Sequence, residues 1–222
     1  MKSSSQSLEL SQVTGYYRKQ PHRFSFCQIQ RMKARLAVIA AGLTAAFISA
    51  CGDPTGLKAS LITSVDTLSV FALSGTPPNY ASGLDVLSRQ PVHVDGFAAF
   101  DVAFDINSDG NAVIYPVKLI VASGSGRPVA MQTIAQKFDS VSEAPKTGYQ
   151  SDSALVALPG ETIVVQSAHN AGADLCQFAI NPNIYAKIGV DSVNLTSRTI
   201  YFRMGLDPNC GFRSFAEGLP SH

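Results

Sequence analysis

FDVAFDINSDGNAVIYPVKLIV, residues 100–121, is the stretch that decides the fold. In its first half Phe100, Val102, Phe104 and Ile106 share one face, with Asp101, Ala103 and Asp105 opposite. In its second half Val113, Tyr115, Val117, Leu119 and Val121 share a face. A period of two is the pattern of a half-buried strand, because successive side chains point to opposite sides of the backbone. Between the halves lies Asp109-Gly110, a turn signal, since both residues tolerate the positive φ that tight hairpins require. The stretch therefore reads as two antiparallel strands and a short turn.

The same residues suggest a calcium loop. Asp105, Asn107, Asp109 and Gly110 fit the oxygen ligands and the glycine of the first half of an EF-hand loop. Its twelfth position, however, is Pro116, which has no side-chain oxygen where a bidentate Glu is needed. The flanks alternate as strands, whereas an EF-hand requires helices. The hairpin is the reading the residues carry, and a weaker calcium site drawing on Asp101 or Asp105 has nothing further in the sequence behind it.

Working outward, the alternation recurs. Leu68, Val70 and Ala72 share a face in DTLSVFAL, and PVAMQTIA, ETIVVQSA, IYAKIGVDSV and RTIYFRMGL are further runs rich in β-branched and aromatic residues. They are bounded by Gly, Pro, Asn and Asp, which punctuate strands. No convincing amphipathic helix follows residue 60, and no internal repeat or second domain boundary is visible. Seven or more short strands separated by turns predict one all-β domain over residues 61–222, an antiparallel β-sandwich or a barrel-like arrangement.

The charge is unevenly spread. Residues 1–50 contain seven Lys/Arg and one acid, Glu9, whereas from Cys51 onward ten Lys/Arg face fifteen Asp/Glu. A mildly acidic domain lacks the basic footprint that nucleic acid requires. The basic end has a different explanation. Met32, Lys33 and Arg35 precede an uncharged run over 36–50, which is the n-region and h-region of a signal peptide and too short to span a bilayer. This run ends in Ile48-Ser49-Ala50-Cys51. The tetrapeptide resembles the lipobox of bacterial lipoproteins: a branched apolar residue and two small residues before a cysteine. The resemblance implies cleavage between Ala50 and Cys51, a diacylglycerol on the Cys51 sulfur and a membrane-anchored amino terminus. An ordinary secretory signal with an incidental Cys51 is the alternative.

Residues 1–31 are polar and basic and precede this well-formed signal, so they read as a mis-assigned start or an extended n-region. The signal peptide is residues 32–50, and Gly52-Asp53-Pro54-Thr55-Gly56 opens a turn-rich tether over 51–60. Glycine after the lipidated cysteine resembles the pattern of outer-membrane sorting. Cys27 leaves with the leader and Cys51 is used for lipid, so Cys176 and Cys210 remain as an even pair for an oxidising compartment. They are expected to form a disulfide, with two free buried thiols as the alternative.

Few residues propose chemistry. His93-Val94-Asp95 puts an imidazole and a carboxylate on one strand face, too few ligands for zinc and readily explained as a surface pair. His169 follows a predicted strand in a polar loop, where a lone histidine is usually solvated. Met131 and Met204 sit in apolar strands as core filler. Arg213, between Phe212 and Phe215, reads as part of a pinned terminal segment. No nucleophile elbow, phosphate loop or zinc-protease motif occurs, and no spacing of Ser, His and Asp proposes a triad. The chain does not read as an enzyme.

Three stretches in order resemble HmuY-type outer-membrane lipoproteins, β-rich haem-binding proteins of bacteria: FDVAFDINSDGN, FDSVSEAPKTGYQSD and NIYAKIGVDSVNLTSRTIYFRM. Phe138-Asp139, Pro145, Gly148-Tyr149 and Asp152 follow the family's order in the second, and Ala186-Lys187 matches its Ala-Lys pair in the third. The likeness covers roughly residues 97–205. It implies a lipid-anchored β domain of the outer membrane that could take haem. The haem-binding members carry their axial ligands in a long segment between the second and third stretches; here that interval is short and no ligand position matches. Ligands for haem would have to come from His169 first, then His93, Met131 or Met204. The expected function is a non-enzymatic envelope lipoprotein that binds haem or another small ligand. A structural or protein-interaction lipoprotein without a small ligand is the alternative.

Overall fold

The computed structural model describes residues 59–95, 100–121, 126–169 and 174–220. The leader, the signal segment and the first eight tether residues, Cys51 among them, lie outside the described residues. Among the described residues ten strands alternate with turns: β1 Ser64–Phe71, β2 Gly83–Asp85, β3 Gln90–Val92, β4 Val102–Ile106, β5 Ala112–Pro116, β6 Val129–Ile134, β7 Leu155–Ala157, β8 Thr162–Ala168, β9 Asn183–Asn194 and β10 Thr199–Asp207. They form two five-stranded antiparallel sheets, in the orders β1-β10-β9-β8-β6 and β3-β2-β4-β5-β7. Neither sheet closes on itself, so of the two expected architectures the domain is sandwich-like and not a barrel.

The β4–β5 hairpin forms where the alternation places it, with Ile106 opposite Ala112. Its turn is built by Asn107, whose Oδ1 accepts the amides of Asp109 at 3.1 Å and Asn111 at 2.9 Å, while Gly110 takes φ 82°. This is an Asx-type turn, with the side chain taking the place of backbone partners.

The second half of the stretch departs from expectation. The predicted strand through Val121 stops at Pro116, and Val117–Ile120 forms a single helical turn, α1. Pro116 has no amide to continue the ladder, and the Val121 amide bonds back to the Val117 carbonyl at 3.0 Å. The short strands β2, β3 and β7 were not expected either; each has three residues, too few for a period of two to stand out.

The main core lies between the sheets. Phe104 of β4 stacks on Phe202 of β10 with centroids 4.9 Å apart, and Leu84, Phe100, Ile114, Ile163, Ile188 and Leu206 are fully buried around them. A second, smaller cluster covers the outer face of β8 and β9: Val141, Ala144 and Phe215 pack on Val164 and Tyr185. The terminal segment is pinned there as expected, because Arg213 bonds to the Ala144 carbonyl at 2.9 Å and pairs with Glu143.

Lys187 of β9 enters this second layer. Its stem runs over Gly205, and its Nζ donates to the carbonyls of Phe138 at 2.9 Å and Val141 at 2.8 Å, 4.4 Å from the Phe138 ring centroid. Burial holds its pKa below 10.5, partly offset by Asp139. Phe138, Tyr149 and Lys187, from two of the three stretches that carry the family likeness, belong to this layer.

Cys176 and Cys210 are joined in a disulfide across a sequence separation of 34. Closing a loop of that length removes denatured-chain entropy worth about 3–4 kcal/mol. Replacing both cysteines by serine should lower stability by about that amount in guanidinium unfolding. An unchanged midpoint would mean that the loop is held by its other contacts alone.

Candidate functional site

The one deeply buried polar network with an imidazole among the described residues begins at Asp101. The alternation assigned Asp101 to the face opposite Phe100 and Val102. It lies instead in the bend before β4, fully buried. Its Oδ2 accepts the Val86 amide at 2.7 Å, and its Oδ1 accepts the Ser167 hydroxyl at 2.5 Å from the other sheet. Ser167 in turn meets His169 Nε2 at 3.3 Å.

His169 is not the solvated loop residue its neighbours suggested. It is fully buried, its amide donates to Pro182 and its carbonyl accepts from Cys176. Since the Ser167 hydrogen is given to Asp101, the hydrogen of the Ser167–His169 contact belongs on Nε2, leaving Nδ1 as a buried acceptor with no partner among the described residues. Burial, followed by Arg127, holds the imidazole below its ordinary pKa of 6.5, against the opposing pull of Asp101, Asp174 and Asp85. Asp, Ser and His are therefore assembled, but in an order unlike a triad: the hydroxyl is given to the carboxylate and buried from any substrate. The arrangement fastens β8 to β4.

Arg127 connects this fastener to the surface. Its Nη1 lies 3.4 Å from Asp85 and 3.6 Å from Asp101. Its side chain also lines a groove of about 510 Å3 beside α1 and the outer face of β6 and β8. Val117, Pro128, Val129, Ala130 and Ala168 make the apolar wall, and Lys118, Arg127, Ser151, Gln166 and Asn183 supply the polar positions. A mostly apolar concavity of this size with a few convergent polar groups has the form of a small-molecule site.

None of the four expected haem ligands lines this groove. Met131 and Met204 are fully buried in the main core, on β6 and β10, which β8 and β9 separate in the sheet. His93 follows β3 and is exposed, and His169 points into the sandwich beside Ser167. Among the described residues, the groove lining contains no His, Met, Cys or Tyr, and these residues do not fit a group that needs such a side chain on its iron. No group of three or more metal-ligating side chains occurs among the described residues.

The former calcium candidate is also accounted for. Asp105 Oδ1 accepts the Ser74 hydroxyl at 2.8 Å, the Ile106 amide at 2.8 Å and Arg198 at 3.2 Å. Burial alone would raise its pKa, but these hydrogen bonds and the Arg198 charge outweigh it and hold the carboxyl below 3.8. Asp105 thus ties β4 to the β9–β10 turn.

No family model, curated protein or solved structure matches this chain.

Two variants probe the network. Asp101→Asn should cost about 3 kcal/mol in urea unfolding at neutral pH, because it breaks a buried charge network joining two sheets. The pH dependence follows from His169: with its folded pKa lowered, the unfolded chain binds the proton more readily, so stability falls as pH drops below 6.5 toward the folded value. His169→Gln should flatten this part of the stability–pH curve, whereas an unchanged slope would mean that His169 is not the titrating group.

Proposed function

We infer that this protein is a lipid-anchored, non-enzymatic binding module of the bacterial outer membrane whose ligand is a small amphipathic anion. The groove carries the reading. Its apolar wall suits the body of such a ligand, and Lys118 and Arg127 suit a carboxylate, sulfonate or phosphate head. Gln166 and Asn183 add donors and acceptors along the same wall. Arg127 is pre-positioned by Asp85 and Asp101, so less freedom is lost when a ligand binds.

The anchor rests on the lipobox at 48–51, and the outer-membrane location on that motif and Gly52. The likeness to HmuY-type proteins agrees with an anchored β domain that binds a ligand. We do not carry haem over with it, because none of the described residues lining the groove is a suitable axial ligand. A non-enzymatic role fits the Ser167 hydroxyl, which is committed to Asp101 and shielded from substrate.

A titration of the chain from Gly52 onward with 1-anilinonaphthalene-8-sulfonate tests this reading, since that probe combines an apolar body with one anionic group. Saturable one-to-one binding is expected, weakened by about tenfold or more in Lys118→Glu and in Ala130→Glu, which set a like charge against the probe. Circular dichroism would verify that both variants remain folded. Binding indifferent to both substitutions would contradict the assignment, as would a saturable haem complex that depends on His169.

A further inference from the structure

We propose that the end of the domain where the tether arrives is a membrane-contact surface, which seats its apolar side chains in the headgroup region of the bilayer that holds the Cys51 lipid. The proposal rests on the anchor reading above and on an independent surface feature. Phe178 is 91% exposed and Ile180 82%, and Leu175, Ile62, Leu61 and Leu219 are exposed as well.

These residues come from three segments that are tied together. Asn209 Oδ1 accepts the amides of Ser60 and Leu61, and its Nδ2 donates to the Leu61 carbonyl. Thr63 bridges to Gly218, which puts Ile62 beside the segment that carries Leu219. Leu61 and Leu175 line one shallow recess with Cys210 and Phe212. The loop bearing Leu175, Phe178 and Ile180 is fixed by the disulfide, by two turn hydrogen bonds onto the Asp174 and Cys176 carbonyls, and by Asn181 against Gly211. Phe178 and Ile180 are thus displayed on a pinned loop, although folding would favour burying them. An exposed apolar cluster of this kind marks a contact surface.

The tether selects the occupant. Seven residues lie between Cys51 and Ala59, so over eight residue steps the chain can place this end no farther than about 28 Å from the lipidated residue. A surface restrained that close to a bilayer meets lipid far more often than any dissolved partner. Apolar side chains on a soluble face seat at the boundary between headgroups and acyl chains. Seating this end would turn the β9–β10 hairpin away from the membrane: β9 runs from Asn183, near Gly211, to Asn194, and its twelve residues span about 35–40 Å.

The chain contains no tryptophan, so a single one reports its own surroundings. The full chain would be produced in a bacterial envelope as Phe178→Trp and, separately, as Leu195→Trp in the β9–β10 turn. Each would be placed in vesicles of phosphatidylethanolamine and phosphatidylglycerol, with and without brominated acyl chains. Mass analysis of the peptide beginning at Cys51 reads acylation independently. The expected result is blue-shifted emission, strongly quenched by bromine, for Phe178→Trp, and neither effect for Leu195→Trp. Quenching of Phe178→Trp in a preparation without acylated Cys51 would still support the surface while removing the anchor. Unquenched Phe178→Trp with verified acylation would overturn the surface and leave the anchor, and the absence of both would overturn both. A blue shift without vesicles, accompanied by a doubled sedimentation mass, would assign the patch to a second copy of the chain and overturn the proposal.

Discussion

The two sheets are joined through β4, and the rest of the structure depends on that join. At one end Asp101 takes the Val86 amide from its own sheet and the Ser167 hydroxyl from the other. At the other end Asp105 takes Arg198 from the β9–β10 turn. Between them Phe104 stacks on Phe202. Non-directional apolar burial supplies most of the driving force, but it does not fix how two sheets slide on one another. The carboxylates do, because each is satisfied in one register only. A buried carboxylate left without these partners would cost several kcal/mol, so the fastening is specific as well as stabilising.

The groove follows from the same join. Asp101 neutralises part of Arg127 and, with Asp85, holds its Nη1 where the guanidinium lines the groove. The end of β5 contributes as well: Pro116 stops the ladder, and α1 brings Val117 and Lys118 to the groove wall. A continued strand would have carried Lys118 along the sheet instead. A residue chosen by backbone chemistry and a carboxylate chosen by cross-sheet pairing thus place Lys118 and Arg127 in the lining of the groove.

Much of this was legible in the sequence, and the remainder fails for identifiable reasons. The long strands could be read because apolar side chains of the main core recur along them at a spacing of two, as in β4 with Val102, Phe104 and Ile106. The turn at 107–111 could be read because Asn, Asp and Gly have local conformational preferences. The cysteine pair followed from counting. Asp101 was misread because a bend precedes β4, and alternation holds only while the backbone stays extended. His169 was misread because burial of a polar side chain depends on partners far away in sequence, here Asp101 by way of Ser167. A signal was present: Ser167 and His169 continue the inward face of Ile163 and Val165 at a spacing of two. Lys187 has the same character, since nothing local to NIYAKIGV announces that the Phe138 and Val141 carbonyls will cover its Nζ.

The central claim is that the groove beside Arg127 is where this domain meets its ligand. The most direct test is an amide chemical-shift map of the chain from Gly52 onward, titrated with 1-anilinonaphthalene-8-sulfonate. The account predicts saturable shifts centred on Lys118, Arg127, Ala130, Gln166, Ala168 and Asn183. Shifts centred instead on Phe178 and Ile180, or spread without saturation over the whole domain, would contradict it.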